Sequence, residues 1–320
     1  MSDNPLTTIT HKQALESLDK KLQVVRDYAT SVAKGFKTGL FLYGNGGAGK
    51  SYTVLRQLES LQVGYRLYNS RMTGKGLFLS LQSAPDAVFV LEDIERLTKQ
   101  ADAQGVLRAA LWAQPGHDRV VTWTTATDGP LEVPFRGGLI LISNRPLADL
   151  PELRALATRI EVHRLEVSDA ELTALMRDLA TRGFRHQDKM VIGPEECTQV
   201  TEYLLRECSA AGCPLDLRLQ QKSFQTYLQW ESDWSNSHWQ DLIAASVRET
   251  TAHFRHESNT MPREDRMAQR RNILREIMGN TASAQEQERA YREQTKMSRA
   301  DFFRRKREVE TGDFDEHDAA

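Results

Sequence analysis

Residues 44–51 read Gly-Asn-Gly-Gly-Ala-Gly-Lys-Ser, and the most specific expectation about this chain starts there. The apolar run at 40–43 predicts a buried strand before this segment, and residues 51–62 carry apolar side chains at helical spacing after it. A strand, a glycine-rich turn and a helix in this order bring backbone N–H groups and a helix N-terminus together around an anion. The segment fits the phosphate-loop pattern G-x-x-x-x-G-K-[ST] at every fixed position, namely Gly44, Gly49, Lys50 and Ser51.

The predicted ligand of this loop is a nucleoside triphosphate. Lys50 would bring a cation to the outer phosphates, and Ser51 a hydroxyl to Mg²⁺. A glycine-rich turn that fits the pattern by chance is the alternative, and the strand and helix on its two sides weigh against it. The residues predicted to hold the nucleotide through the loop are Gly44, Asn45, Gly46, Gly47, Ala48, Gly49, Lys50, Ser51 and Tyr52.

Composition excludes several classes of protein. The 320 residues allow two or three domains, and 42 basic against 44 acidic side chains create no overall field toward nucleic acid or a membrane. No apolar run approaches the roughly 18–20 residues of a bilayer span, and the N-terminus lacks the layout of a signal peptide. The three cysteines form no C-x-x-C pair, so we expect reduced thiols in a cytoplasmic protein.

The first half of the chain alternates between strand and helix patterns. Such alternation predicts an α/β fold with a parallel sheet. A hairpin is predicted from 119–126 and 131–135. Strands are expected at 40–43, 64–68, 87–91, 139–142 and 160–162, and helices at 11–34, 51–62, 77–81 and 103–112.

From Ser168 onward the pattern predicts helices only. Ser168 and Glu171 form a capping box, and further helices are expected at 194–208, 215–230 and 239–250. We interpret this block as a lid over the nucleotide. The predicted divisions are an N-terminal helix (1–36), an α/β nucleotide-binding core (37–165), a helical lid (166–252), a basic helical extension (253–311) and an acidic, unstructured tail (312–320).

Two acids, Glu92 and Asp93, directly follow the apolar strand at 87–91. Carboxylates at the end of a buried strand beside a phosphate loop can hold Mg²⁺ and polarise an attacking water. Both acids, with Ser51, are therefore predicted metal contacts. An acidic helix N-cap is the alternative.

With these two motifs in place, the chain resembles the AAA+ ATPase superfamily over residues 10–250. The resemblance implies ATP as the nucleotide, with Mg²⁺. The family ends its acidic strand in Asp-Glu, the first acid serving the metal and the second activating water, whereas this chain has Glu92-Asp93. The resemblance thus gives Glu92 the metal role and Asp93 the base role. The Asp93 side chain is about one methylene shorter than the family's base. Hydrolysis is therefore expected to be slow, or the attacking water to be held in a different position.

Further residues match the family's motifs in position. The resemblance makes Asn144 the first sensor, Arg159 the arginine finger with Arg154 in reserve, and Arg218 the second sensor on the lid. Asn69 matches a polar residue that restrains the catalytic acid. Ordinary alternatives are a turn asparagine for Asn144 and a solvated or ion-paired arginine for Arg159 or Arg154. A finger that acts on a neighbouring subunit implies a homo-oligomeric ring or spiral whose isolated subunit binds ATP well and hydrolyses it poorly.

Other phosphate-loop classes fit less well. A kinase or GTPase predicts no all-helical lid carrying an arginine, and the guanine-specifying sequence Asn-Lys-x-Asp is absent. The loop at 70–76 contains Arg71 and Lys75 but no aromatic residue, which suits a phosphodiester better than an unfolded polypeptide. Trp123 of the predicted hairpin is interpreted either as a substrate contact or as part of the core.

The C-terminal segment 283–307 resembles a helix-turn-helix. A helix at 283–294 is followed by a turn and by a second helix from Ser298, and a helix at 265–278 could complete the core. An arginine-rich disordered arm and a helix that docks on a protein are the alternatives. The residues predicted to contact DNA are Arg299, Arg304, Arg305, Lys306 and Arg307.

The sequence therefore predicts an oligomeric AAA+ ATPase that drives or switches a DNA-associated process such as replication initiation, helicase loading or mobile-element function. An ATP-dependent protein remodeller or chaperone is one alternative. A slow-hydrolysing regulatory ATP-binding switch is another, because the order of Glu92 and Asp93 is reversed.

Overall fold

The computed structural model of the chain describes residues 10–69, 72–114, 117–125, 129–150, 156–186, 189–260, 263–280, 283–295 and 297–311. The chain divides into two compact units, Met1–Ala245 and Ser246–Ala320. The strands are β1 (Gly39–Tyr43), β2 (Tyr65–Tyr68), β3 (Val88–Glu92), β4 (Val120–Thr125), β5 (Gly129–Pro134), β6 (Gly138–Ser143), β7 (Glu161–Arg164), β8 (Phe184–His186) and β9 (Lys189–Ile192). The helices are α1 (His11–Ala33), α2 (Lys50–Ser60), α3 (Gly74–Ser83), α4 (Glu95–Thr98), α5 (Ala101–Leu111), α6 (Asp169–Ala180), α7 (Pro194–Ala211), α8 (Leu217–Glu231), α9 (Trp239–Thr260), α10 (Arg263–Asn280), α11 (Ala284–Thr295) and α12 (Arg299–Thr311).

Five parallel strands form the central sheet, in the order β2-β3-β6-β1-β7. The apolar runs of the three central strands β1, β3 and β6 are buried on both faces, as parallel strands usually are. Leu40, Leu42 and Val90 face α1 and α2, whereas Phe41, Phe89 and Leu141 face α3, α5 and the β4–β5 hairpin. The predicted α/β fold with a parallel sheet is confirmed.

The order of the strands brings three loops together. β6 lies between β1 and β3, so the residues that follow these three strands emerge side by side at one edge of the sheet. Tyr43 of β1 pairs with Ser143 of β6, and Glu92 of β3 pairs with Ile142 one position earlier on the same strand. Ligands of open parallel sheets bind at this carboxyl edge.

The region after β7 is not purely helical, which corrects the prediction for residues 168–250. The antiparallel hairpin β8–β9 lies between α6 and α7. The predicted capping box of α6 is confirmed: the Ser168 side chain accepts from the Glu171 backbone, and the Glu171 side chain accepts in return. Ser17 and Lys21 of α1 also donate to Glu171, at 2.7 and 2.8 Å, and so attach α6 to α1.

The segment at 70–76 also differs from the prediction of a loop. Ser70 and Arg71 lie outside the described residues, and Thr73 already caps α3, so Lys75 lies in the first turn of a helix. The β4–β5 hairpin is confirmed. Trp123 packs against Phe78, with ring centroids 6.0 Å apart, which favours the core interpretation of this side chain.

The second unit has a small core of its own. Leu274 and Ile277 of α10 pack with Tyr291 of α11 and Phe302 of α12. The predicted third helix at 265–278 is present and extends from Arg263 to Asn280. The unit starts at Ser246, seven residues before the predicted boundary of the extension, and the predicted acidic tail 312–320 lies outside the described residues. Among the described helices none has the length and apolar content that crossing a membrane requires.

Candidate nucleotide-binding site

The glycine-rich loop joins β1 to α2, with Gly49 as the N-cap of the helix. Two of its glycines are required by close approach of neighbouring atoms. A Cβ on Gly44 would lie 2.2 Å from the carbonyl oxygen of Leu165, which follows β7. A Cβ on Gly47, where φ is +68°, would lie 2.2 Å from Asp216 Oδ1, just before α8. The loop is therefore packed between the segment that follows β7 and the segment that precedes α8.

Lys50 is the most constrained side chain of the loop. Its Nζ donates to the carbonyl oxygens of Gly44 and Asn45, each at 2.7 Å, and to Asn144 Oδ1 at 3.0 Å. Only 6% of the residue is exposed. The ammonium is therefore placed at the mouth of the loop, where a phosphate oxygen could replace a carbonyl.

The pKa of Lys50 is lowered from 10.5 to about 8, mainly by burial and secondly by the positive charge of Arg218. The carboxylates of Glu92, Asp216 and Asp93 act in the opposite direction. A cation held in a desolvated position between arginine and acids gains from the arrival of an additional anion. The electrostatics of the loop therefore suit a phosphate group.

The two predicted acids follow β3 in different conformations. Glu92 ends the strand half-buried, and its Oε1 is a buried oxygen with no hydrogen-bond partner among the described residues. Asp93 is exposed and has φ of +50°, a left-handed conformation that is uncommon outside glycine. Buried unsatisfied oxygens and strained backbone both concentrate at functional sites, where a missing cation or water can complete the partner set.

Asn144 lies between the loop and the acids because it follows β6, the strand between β1 and β3. Its Oδ1 accepts the hydrogen bond from Lys50. Asn144 therefore contacts the lysine of the loop from the end of the neighbouring strand.

The N-terminus of α8 lies directly against the loop. Leu217 N donates to the Gly47 carbonyl at 3.4 Å, and Asp216 caps the helix by accepting from Arg218 N at 2.6 Å. Arg218 itself is exposed and lines the cleft. The helix therefore brings one arginine and one carboxylate to the phosphate side of the site.

A cleft of about 850 Å³ connects these groups. The predicted residues that line it are Gly47, Ala48, Gly49, Lys50, Ser51, Tyr52, Glu92, Asp93, Asn144 and Arg218. Tyr52 is 67% exposed, and the Arg56 guanidinium lies 5.8 Å from its ring centroid. Most of the predicted site is thus gathered into one cavity.

The cleft is also lined by residues that the sequence did not indicate. They come from α1, α2, α6, the turn after α6, β8 and α8, and combine apolar side chains with arginines. Those side chains are Leu22, Arg26, Arg56, Leu175, Leu179, Arg182, Phe184 and Phe224. Leu175 and Leu179 lie four residues apart on α6 and are half-buried. The sequence alone does not distinguish them from the fully buried residues of the same apolar stripe.

Gly44, Asn45 and Gly46 of the predicted loop do not line this cleft, and neither do Arg159 and Asn69. Arg159 precedes β7, is half-buried, and its carbonyl accepts from Thr38 Oγ1 at 3.3 Å. Arg154 lies outside the described residues. Asn69 follows β2 and is exposed.

The predicted DNA contacts divide into two groups. Arg299, Arg304 and Arg307 are exposed. Lys306 is half-buried and donates to Gln287 Oε1 at 3.0 Å. Arg305 has a side chain only 4% exposed and ion-paired to Glu308, so its prediction as a DNA contact is wrong: it belongs to the interior of the unit.

The sequence matches no protein-family model and no curated protein. What can be said of its class therefore comes from the fold and the cleft: an α/β protein with a five-stranded parallel sheet and a glycine-rich loop at the carboxyl edge.

Proposed function

We propose that this chain is an AAA+ ATPase that binds ATP with Mg²⁺ and hydrolyses it. The observation that carries the proposal is the convergence of Lys50, the two acids after β3, Asn144 and Arg218 on a single cleft. These residues come from four separate segments, and a chance match of the loop pattern would not bring the other segments to it.

The phosphate end of the site would work by charge. The backbone N–H groups of residues 47–51 and the Lys50 ammonium would bind the outer phosphates. Arg218 would add a second cation from the lid side, where it distinguishes a triphosphate from a diphosphate by the additional charge.

The metal would be held by Ser51 and Glu92, since the unpartnered buried Oε1 of Glu92 is an acceptor suited to a hard cation or its water. Bound Mg²⁺ supplies positive charge to the phosphates. Asp93, exposed beside Glu92, would take the proton of the attacking water, and Asn144 would orient that water.

The apolar side chains of the cleft would take the nucleoside. Leu175 and Leu179 of α6 line the same cleft as Leu22 of α1, and an adenine ring can pack against such side chains. The connection from α1 to α6 through Glu171 keeps the two walls together.

Arg159 would act on the nucleotide of a neighbouring subunit. Its position outside the cleft of its own chain agrees with that role. In the proposal, a ring or spiral completes the site, and mixing Arg159→Ala with Asp93→Asn subunits should restore or alter turnover as the ratio changes. Turnover that simply follows the sum of the separate variants would contradict a finger acting between subunits.

The process driven by this ATPase is proposed to be DNA-associated, of the kinds predicted above. ATP turnover should be measured with no addition, with single-stranded DNA, with duplex DNA and with an unfolded protein, using Lys50→Ala as the inactive control. Stimulation by DNA supports the proposal. Stimulation by the unfolded protein alone would identify a remodeller instead.

A slow-hydrolysing switch is the second candidate. The observation that favours it is the left-handed, solvent-exposed Asp93 in the place of a glutamate base. ATP binding without turnover by the assembled protein, under all four conditions, would select the switch over the motor.

A further inference from the structure

The charges of α12 are sorted between the interior and the surface of the second unit. Inside, the Arg305 guanidinium pairs with Glu308 and lies 3.6 Å from Asp301. Arg271 of α10 reaches Glu308 at 3.4 Å, and Arg270 reaches Asp301 at 3.7 Å. The two acids of the first three turns of α12 are therefore neutralised within the unit.

Tyr291 of α11 strengthens this arrangement. Its hydroxyl donates to Asp301 at 2.7 Å, and its ring packs on Phe302. Burial and the hydrogen bond to Asp301 raise the pKa of Tyr291 well above its usual value. Arg305 Nε has no hydrogen-bond partner among the described residues, but the buried charges of this cluster are paired. The pairing fixes the rotation of α12 about its axis, because any other rotation would leave a buried charge without a partner.

With that rotation fixed, the opposite side of α12 presents a basic and aromatic face. We define this α12 face by Arg299, Phe303, Arg304 and Arg307, all exposed and contained in less than half of the helix circumference. Phe303 is 49% exposed, and the Arg299 guanidinium lies 5.5 Å from its ring centroid. The acid that α12 carries toward solvent, Glu310, lies in the last turn near Lys306, at 3.9 Å.

The partner is selected by charge complementarity. Arg299 pairs with Glu288 at 3.2 Å, and the side chains are 70% exposed on the arginine and 17% exposed on the glutamate. Because most of the arginine side chain remains in solvent, it is accessible to a phosphate. Arginine guanidinium groups match phosphate oxygens in two-pronged hydrogen bonds, and an exposed aromatic ring packs on sugars or bases. The chain as a whole has a formal charge of −2, so the basic face is a local feature rather than a reflection of overall charge.

We propose that the α12 face binds the phosphate backbone of duplex DNA. α11 and α12 are separated by three residues, 296–298, and the second of two helices joined in this way can enter the major groove. This inference deepens the DNA-associated part of the proposed function, but it depends on the second unit and not on nucleotide binding. Arg305, Arg270 and Arg271 instead orient the α12 face through their ion pairs with Asp301 and Glu308.

The test is the affinity of the full-length protein for a fluorescently labelled duplex of about 30 base pairs, measured by anisotropy over a series of salt concentrations. The double variant Arg304→Ala/Arg307→Ala is compared with Arg275→Ala/Arg289→Ala, which removes two exposed arginines of the same unit from other helices. We expect the α12 double variant to weaken binding about tenfold or more near 0.1 M salt and to reduce the salt slope by about two. The control should stay within about twofold of the wild-type protein. Circular dichroism confirms that both variants are folded.

Several results would overturn the inference. These are no binding of duplex DNA by the wild-type protein, an equal loss in the two double variants, or tighter binding of single-stranded DNA or duplex RNA of the same sequence. The ATP affinity of the wild-type protein is measured in parallel. An absence of ATP binding would refute the proposed ATPase, whereas failure of the DNA series alone would refute only this inference.

Discussion

At the scale of single residues, Lys50 is the most important side chain of the proposed phosphate site. Three oxygen acceptors and burial hold its ammonium at the loop, and its pKa is lowered to about 8 from 10.5. The unfolded chain therefore binds more protons than the folded chain between about pH 8 and 10.5, so this group favours folding increasingly as pH rises through that window. Phosphate binding has the opposite sign, since it needs the proton.

We accordingly expect the dissociation constant for Mg-ATP to increase above pH 8, by up to about tenfold per pH unit. Calorimetric titrations from pH 7.5 to 9.5 measure this directly. Lys50→Arg serves as the matched control because arginine stays charged over the whole range. A wild-type affinity that does not change with pH would mean that titration of Lys50 does not affect Mg-ATP binding.

Gly47 offers a second test at this scale, because its side-chain position is filled by the Asp216 carboxylate. Gly47→Ala and Gly212→Ala place alanine at nearly the same left-handed φ, +68° and +66°, but a Cβ on Gly212 meets nothing within 4 Å. Both should lose about 1–2 kcal/mol of the free energy of unfolding from backbone strain.

Gly47→Ala alone should also displace Asp216 and lose the N-cap of α8, at a further cost of about 1 kcal/mol, with weakened ATP binding. Urea unfolding and ATP titration of the two variants decide the matter. Equal losses in both would mean that the contact between the loop and α8 is unimportant.

At the scale of elements, the site is built by adjacency. β1, β6 and β3 are neighbours, so the loop, Asn144 and the acids meet at one edge. Arg218 of α8 and Leu179 of α6 line the same cleft. In the proposed function, Arg218 lies at the phosphate end of the nucleotide and Leu179 at the nucleoside end. Substitutions at these two positions should therefore weaken the binding of different parts of a nucleotide.

Arg218→Ala should weaken ATP binding more than ADP binding, because the lost charge faces the terminal phosphate. Leu179→Ala should weaken ATP, ADP and AMP by similar factors, because the lost apolar contact faces the nucleoside. The measurement is a set of dissociation constants for the three nucleotides with each variant. The assignment of the two ends fails if the variants show the same pattern.

Elements with a strong local signal could be predicted from the sequence. The unbroken apolar runs of β1, β3 and β6 can only be buried strands, and the loop pattern fixes the start of α2. The hairpin β8–β9 was missed because its strands are short, and Arg185 and His186 interrupt any apolar alternation. α4 has only four residues, too few for a periodicity to be visible.

The candidate site could be predicted where one motif specified one residue, and not where only the fold brings side chains together. The phosphate end follows from loop, strand ends and lid arginine. The apolar lining does not, since Leu22 and Leu179 belong to ordinary helical stripes until the fold brings α1 and α6 together. Arg305 was misassigned within a run of four basic residues, although its helical phase, three residues after the buried Phe302, indicates the interior.

At the scale of the whole molecule, the chain comprises two compact units, each with its own candidate binding site. The cleft lies within Met1–Ala245, whereas the α12 face and its buried ion pairs lie within Ser246–Ala320. Each unit has its own apolar core. Ligands should therefore stabilise the two units separately.

Differential scanning calorimetry of the full-length protein should show this. A saturating nucleotide stabilises the state that binds it by about 2.7 kcal/mol at a hundred times the dissociation constant. Mg-ATP should raise the transition of the larger unit only, and Leu274→Ala, which removes a fully buried side chain of the second core, should lower the other transition only. One transition that shifts as a whole in both experiments would contradict separate units.

The central claim, a triphosphate held by the loop and Lys50, is tested most directly by isothermal titration of Mg-ATP into the full-length protein and into Lys50→Ala. The account predicts saturable binding of one nucleotide per wild-type chain, and at least about tenfold weaker binding, roughly 1.4 kcal/mol, by the variant. Folded wild-type protein that takes up no Mg-ATP, or a variant that binds as tightly as the wild type, would contradict it.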